Sequence, residues 1–164
     1  MSLRRLDLGP QIAGSVFLSD MPGWRRPLAD DVAEAQSVGI ERVACLVPRA
    51  EIGWRSPDYF QAVIGGNLPW DLDSLPIVDG GVPEHEELVE FIDRLAAYVN
   101  SGQTVLLHCA GGIGRTGMVA ICLLVRLGST AEFGKAAVIQ AGSCPETPQQ
   151  EALIAWYVTT RAHV

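Results

Sequence analysis

The chain has 164 residues, 48% of them apolar, and a net charge of −7 that sets 12 Lys and Arg, only Lys135 being a lysine, against 19 Asp and Glu. That length suits one domain over residues 1–164, and the acidic balance argues against a nucleic acid or an anionic membrane surface as partner. The four cysteines, Cys45, Cys109, Cys122 and Cys144, show neither metal-ligand spacing nor a disulfide framework, which fits a reducing, cytoplasmic setting and no metal or other cofactor.

Arg4-Arg5 is followed by Asp7, Gly9 and Pro10, so no signal-peptide apolar region is expected, and Met118–Val125 is too short to span a bilayer. Residues 11–19 read as a strand ended by Asp20-Met-Pro-Gly23. Pro27 opens a helix with Leu28, Val32 and Ala35 on one face and Gly39 as its stop. Val43–Val47 reads as a buried strand closed by Pro48. Residues 57–65 read as a helix ended by Gly65-Gly66, and Leu68–Leu72 as a short strand. Pro83 marks the first turn of the clearest helix, whose inner stripe is Leu88, Phe91, Ile92, Leu95 and Val99, with Gly102 as its stop. Its charged face, Glu84–Glu90, reads as solvated. Gln103–His108 is a strand, and Arg115–Leu127 a helix apolar nearly all round, hence central. Ser129 and Glu132 form a capping box for the next helix, and Thr147 and Gln150 one for the last. Strands alternating with helices give an α/β fold, a central mostly parallel sheet flanked by helices.

The most informative stretch is Thr104–Gly117, where an apolar strand runs into His108-Cys109, then four glycines interleaved with Arg115 and Thr116, then a helix start. Loop amides and the positive end of the helix would converge there on an anion. They favour Cys109 as a thiolate nucleophile, and Arg115, six positions on, can grip two oxygens of an oxyanion with its planar fork. Thr116 can hydrogen-bond the sulfur. Gly112–Gly117 is formally G-x-G-x-x-G, but a dinucleotide site needs a second strand with a ribose-binding acid, and Glu132 instead opens a helix. No lysine follows the glycines as a Walker A loop requires, and a buried core cysteine leaves Arg115 and the glycines unexplained.

His108-Cys109-Ala110-Gly111-Gly112-Ile113-Gly114-Arg115-Thr116-Gly117 resembles the signature loop of the cysteine-dependent protein tyrosine phosphatases, including the dual-specificity group. The Gly111-Gly112 pair, Pro76–Pro83 and Leu18–Gly23 are most similar to the kinase-associated phosphatase (cyclin-dependent kinase inhibitor 3) branch. The resemblance covers residues 12–158 and implies that family's α/β fold and a metal-independent hydrolysis of phosphoproteins bearing phosphotyrosine, phosphoserine or phosphothreonine. It implies phosphate binding by Ala110, Gly111, Gly112, Ile113, Gly114 and Arg115, with His108 holding the loop.

Asp79, thirty residues before Cys109 in a Gly- and Pro-flanked loop able to move over the pocket, is the general-acid candidate. Its alternative is an Asx turn with Gly80-Gly81. Asp71 and Asp73 are runners-up that read as a sheet edge. Gln150 stands where relatives carry a water-orienting glutamine, although it also closes a capping box; the segment before it, Gln140–Cys144, lacks the basic residues relatives often have. Cys45 reads as buried, with redox pairing to Cys109 the alternative. Trp24, Trp54 and Trp70 read as core or hinge packing, with the pocket rim the alternative, and His85 and His163 as inert. Ala110 and Ile113, being uncharged, disfavour a phosphoinositide or polyphosphate substrate. The reading of a different class is a phosphoprotein-binding pseudophosphatase.

Overall fold

The computed structural model describes residues 1–161; His163 lies outside them. Five strands, β1 (Arg4–Leu6), β2 (Ser15–Ser19), β3 (Arg42–Cys45), β4 (Asp71–Ser74) and β5 (Thr104–His108), form one sheet in the order β1-β2-β5-β3-β4. All neighbours run parallel except β1, which is antiparallel to β2. The helices are α1 (Leu28–Ser37), α2 (Arg49–Arg55), α3 (Pro57–Gly65), α4 (His85–Asn100), α5 (Gly114–Arg126), α6 (Ala131–Gln140) and α7 (Pro148–Arg161).

β5 is the middle strand, and Val105, Leu106 and Leu107 are buried completely, as a strand paired on both edges requires. His108 pairs in register with Ser19 of β2 and Cys45 of β3, so three carboxyl ends open onto one crevice. Helix α5 leaves that crevice and is buried from Gly114 to Leu124; α4, α6 and α7 pack around it. The expected apolar stripe of α4 is buried throughout.

Several local expectations shift. β1 and α2 were not expected. The strand expected over Leu68–Leu72 is β4, which starts three residues later at Asp71 and pairs with β3, Trp70 being buried in the core just before it. Pro83 lies outside α4, which starts at His85 after Glu84. Helix α6 is capped by Thr130, not Ser129: the Phe133 amide donates to Thr130 Oγ1 at 3.2 Å. For α7 the Gln150 amide donates to Thr147 Oγ1 at 3.3 Å as expected, but Gln150 Oε1 accepts from Glu146 N–H at 2.8 Å, one residue earlier than a capping box.

Candidate active site

Cys109 sits at the end of β5, 3% exposed, where the chain leaves the sheet. The loop is hung from the neighbouring strand ends, with Met21 N–H donating to Ala110 O at 2.8 Å and Leu46 N–H to His108 O at 3.0 Å. Gly112 N–H donates to Cys109 Sγ at 3.2 Å, so at least one loop amide converges on the sulfur. Gly112 takes φ of 71°, and a Cβ there would stand 2.4 Å from the Ser19 carbonyl, so only glycine fits.

His108 is fully buried between two partners, with Nδ1 2.9 Å from Cys109 O and Nε2 2.9 Å from Tyr59 Oη. A carbonyl only accepts, so Nδ1 carries the proton, and Nε2 accepts from the tyrosine hydroxyl. Burial pushes the imidazole down to about 4 and the Tyr59 hydroxyl well above its ordinary value, which keeps both neutral. His108 is thus a strut for the loop.

Arg115, 2% exposed, spreads its fork among four oxygens of three residues. Nη1 reaches Glu51 Oε2 and Ile77 O, each at 2.9 Å; Nη2 reaches Glu51 Oε1 at 3.1 Å and Asp79 Oδ1 at 3.3 Å. Burial alone would lower the guanidinium; the Glu51 hydrogen bonds, with the charges of Cys109, Glu51 and Asp79, outweigh it and raise it. Glu51 was missed by sequence reasoning because it lies on α2. Burial works to raise its carboxyl, but bonds and charge from Arg115 and then Arg55 hold it below its usual range. A carboxyl lowered on folding adds stability above its unfolded value and loses it as the pH falls. Glu51→Gln is therefore expected to lower Tm at pH 7, with the gap from the natural chain shrinking toward pH 3 in thermal melts. A gap independent of pH would mean that the pair does not hold Arg115 in solution.

The strand line of β4 continues past Ser74, as Leu75 N–H donates to Cys45 O and Ile77 N–H to Leu46 O, each at 3.0 Å. This delivers Asp79 to the crevice beside Arg115. Gly81 N–H closes a turn on Val78 O at 2.8 Å with Gly80 at φ 74°. The Asp79 side chain takes no part in that turn and stays 66% exposed. The loop is tied to the segment that starts α7: Thr147 Oγ1 donates to Gly80 O at 3.0 Å and Gln150 Nε2 to Gly81 O at 3.3 Å. Asp71 and Asp73 are held by Arg42 and Arg94 on the sheet edge.

Two expected roles are not matched by geometry. Thr116 Oγ1 is buried without a hydrogen-bond partner among the described residues, and the contact it was expected to make with the sulfur is made by the Gly112 amide. Gln150 is fully buried with both ends of its amide engaged as a tie between loops, so it does not face the crevice. Glu146 does. Its carboxylate approaches Gly114 so closely that a Cβ there would stand 2.1 Å from Oε2. Cys109, Arg115, Asp79, Glu146, Arg55 and Trp24 converge on a cavity of about 180 Å³. Trp24 thus reaches the rim, the guanidiniums of Arg25 and Arg55 lying 4.6 and 4.9 Å from its ring. Trp54 stays exposed and Trp70 is buried. Burial pushes the Cys45 thiol up to about 12, which disfavours it as a resolving thiolate. His85 stacks on Trp156 with ring centroids 3.7 Å apart.

Strand, cysteine loop, arginine and fold define a protein of the dual-specificity phosphatase superfamily. The family model for cyclin-dependent kinase inhibitor 3 (CDKN3) matches residues 10–137, and the chain belongs to that family. It is 33% identical over 107 residues to cyclin-dependent kinase inhibitor 3 of Sus scrofa, covering 65% of this chain and 50% of the relative. The Homo sapiens protein of the same name is 32% identical over the same shares. The chain thus spans about half the length of the curated relatives it matches. The fold is shared with kinase associated phosphatase (KAP), whose crystal structure carries a serine in place of its catalytic-site cysteine; TM-score is 0.85 at 22% identity, covering 100% of this chain and 97% of that one. Tk-PTP in its active form gives 0.75 at 24%, covering 97% and 99%.

Proposed function

We propose that residues 1–164 form a single phosphatase domain that hydrolyses phosphate monoesters on phosphoproteins, at phosphotyrosine, phosphoserine or phosphothreonine, through a cysteinyl-phosphate. The observation that carries this reading is the sulfur of Cys109 under the Gly112 amide, with the Arg115 fork held beside it by Glu51. Cys109 attacks phosphorus, the bond to the ester oxygen breaks, and Asp79 protonates the departing oxygen. Water then attacks phosphorus, gives its proton to Asp79, and the S–P bond breaks to release inorganic phosphate. Amides of Ala110 through Arg115 and the guanidinium stabilise the equatorial oxygens, the main source of catalysis in phosphoryl transfer.

Arg115 is shared between Glu51 and Asp79. A bound dianion would draw Nη2 from Asp79, freeing the carboxyl for the leaving oxygen. Two carboxylates at the cavity, Asp79 and Glu146, oppose a second phosphate, which favours a phosphoprotein over a phosphoinositide. No described helix is long and apolar enough to cross a membrane; the net charge of −7 supports a protein without nucleic-acid or membrane partners, and the four free cysteines support a reducing, cytoplasmic setting.

Turnover of p-nitrophenyl phosphate in EDTA, blocked by vanadate, tests the reading; vanadate binding without turnover would leave a phosphoprotein binder instead. A phosphopeptide panel run beside inositol phosphates separates the substrate classes. Asp79→Asn is expected to lower kcat by about 10²–10⁴ on a phosphopeptide with KM little changed. The loss should be smaller on p-nitrophenyl phosphate, whose leaving anion needs less protonation. An unchanged kcat on the peptide would remove Asp79 from the mechanism.

A further inference from the structure

The outer side of the Cys109 loop is gripped by a residue from the opposite end of the chain. Arg4, on β1, donates from Nη2 to Gly112 O at 2.6 Å, and from Nη1 to Ala141 O at 2.9 Å and Ser143 Oγ at 3.1 Å. Ser143, 2% exposed, donates from its hydroxyl to the same Gly112 carbonyl at 2.6 Å. One carbonyl therefore receives two donors, one of them charged, and both are fixed by further contacts. In a planar trans peptide the C=O and the following N–H point in opposite directions. Pulling Gly112 O outward toward Arg4 and Ser143 turns the Ile113 N–H the other way, into the bowl over the sulfur.

The structure assigns Arg4 and Ser143 as positioning residues that set the Ile113 amide, and so the oxyanion affinity, of the Cys109 loop. The assignment rests on the phosphatase reading above. Both residues fall outside residues 10–137, the span matched by the family model. Gly142 is part of the device: it takes φ of 79°, and a Cβ there would stand 2.9 Å from Arg4 Nη1. The guanidinium has fixed geometry and can bridge Gly112 O and Ala141 O together, which a single ammonium cannot do with the same directionality. Glycine at 111, 112 and 114 leaves this loop with little conformational preference of its own, so an external clamp has more to decide here than in a stiffer loop.

The test is the inhibition constant for vanadate, measured with KM and kcat on p-nitrophenyl phosphate for the natural chain, Arg4→Met and Ser143→Ala. A clamp that aims an amide changes oxyanion affinity. A general loss of structure instead reduces the fraction of active molecules, lowering kcat while KM and the vanadate constant stay put. Arg4→Met is expected to weaken vanadate inhibition by about tenfold, the scale of one hydrogen bond from a charged donor, and to raise KM in parallel. Ser143→Ala removes one neutral donor and is expected to weaken vanadate about threefold. It keeps the test decisive if Arg4→Met does not fold. Vanadate constants within experimental error of the natural chain in Ser143→Ala and in any folded Arg4→Met overturn the assignment. A natural chain that neither turns over nor binds vanadate overturns the phosphatase reading itself, a different result from the first.

Discussion

Cys109→Ser is expected to lower kcat on p-nitrophenyl phosphate by about 10⁴-fold or more, the scale on which loss of a covalent nucleophile acts. A serine hydroxyl fits the same space and accepts from the Gly112 amide as the sulfur does. At neutral pH, however, it supplies almost no anion to attack phosphorus, and His108, with both ring nitrogens engaged by Cys109 O and the Tyr59 hydroxyl, offers no free base to generate one. The loop, its clamp and Arg115 are untouched, so vanadate or phosphate should still bind and protect the variant from heat. Stopped-time assays with purified protein check the loss, and thermal shift with phosphate checks the retained site. Turnover within tenfold of the natural chain would place the nucleophile elsewhere.

Arg115→Lys is the second large effect, expected to lower kcat/KM by about 10³-fold although the charge is kept, as for other arginines that stabilise a transferring phosphoryl group. Both Nη atoms are engaged at once, on Glu51, Ile77 and Asp79, and a planar fork can exchange one of those oxygens for a phosphate oxygen without losing the others. An ammonium has one nitrogen and cannot bridge two carboxylates and a carbonyl in that plane. It would leave Glu51, 11% exposed at its side chain, with a poorer partner. A circular dichroism spectrum like that of the natural chain, with kcat/KM within tenfold of it, would mean that the fork does not contact the transition state.

The loop was legible because its information is local. A strand run, His108-Cys109, glycines and Arg115 lie within fourteen consecutive residues, and the glycine at 112 answers to a φ of 71° that favours that residue type. Asp79 was legible for a similar reason, since Gly80-Gly81 marks a turn whatever the rest of the fold does. Glu51 was not. Helix α2 has seven residues with Gly53 inside it, too short for periodicity to register, and its only trace in sequence is Pro48 followed by the four-apart pair Glu51 and Arg55. Arg4 stands on a three-residue strand and acts on groups more than a hundred positions away. Glu146 and Gln150 share one segment, and only the docking of α7 against the Asp79 loop decides that the carboxylate faces the cavity while the amide is used as a tie. Contacts of that range are set by packing, which no spacing rule reads.

The two bonds from Thr147 and Gln150 to the carbonyls of Gly80 and Gly81 have a consequence for the kinetics. Because the loop that carries Asp79, the proposed acid, is tied to the start of α7, the proposed mechanism needs no slow gate to shut over the bowl, and the entropy of ordering that loop is spent during folding, not in each turnover. On the proposed mechanism no loop closure is then expected to limit turnover, and a kcat that falls with solvent viscosity only through product release would agree with this.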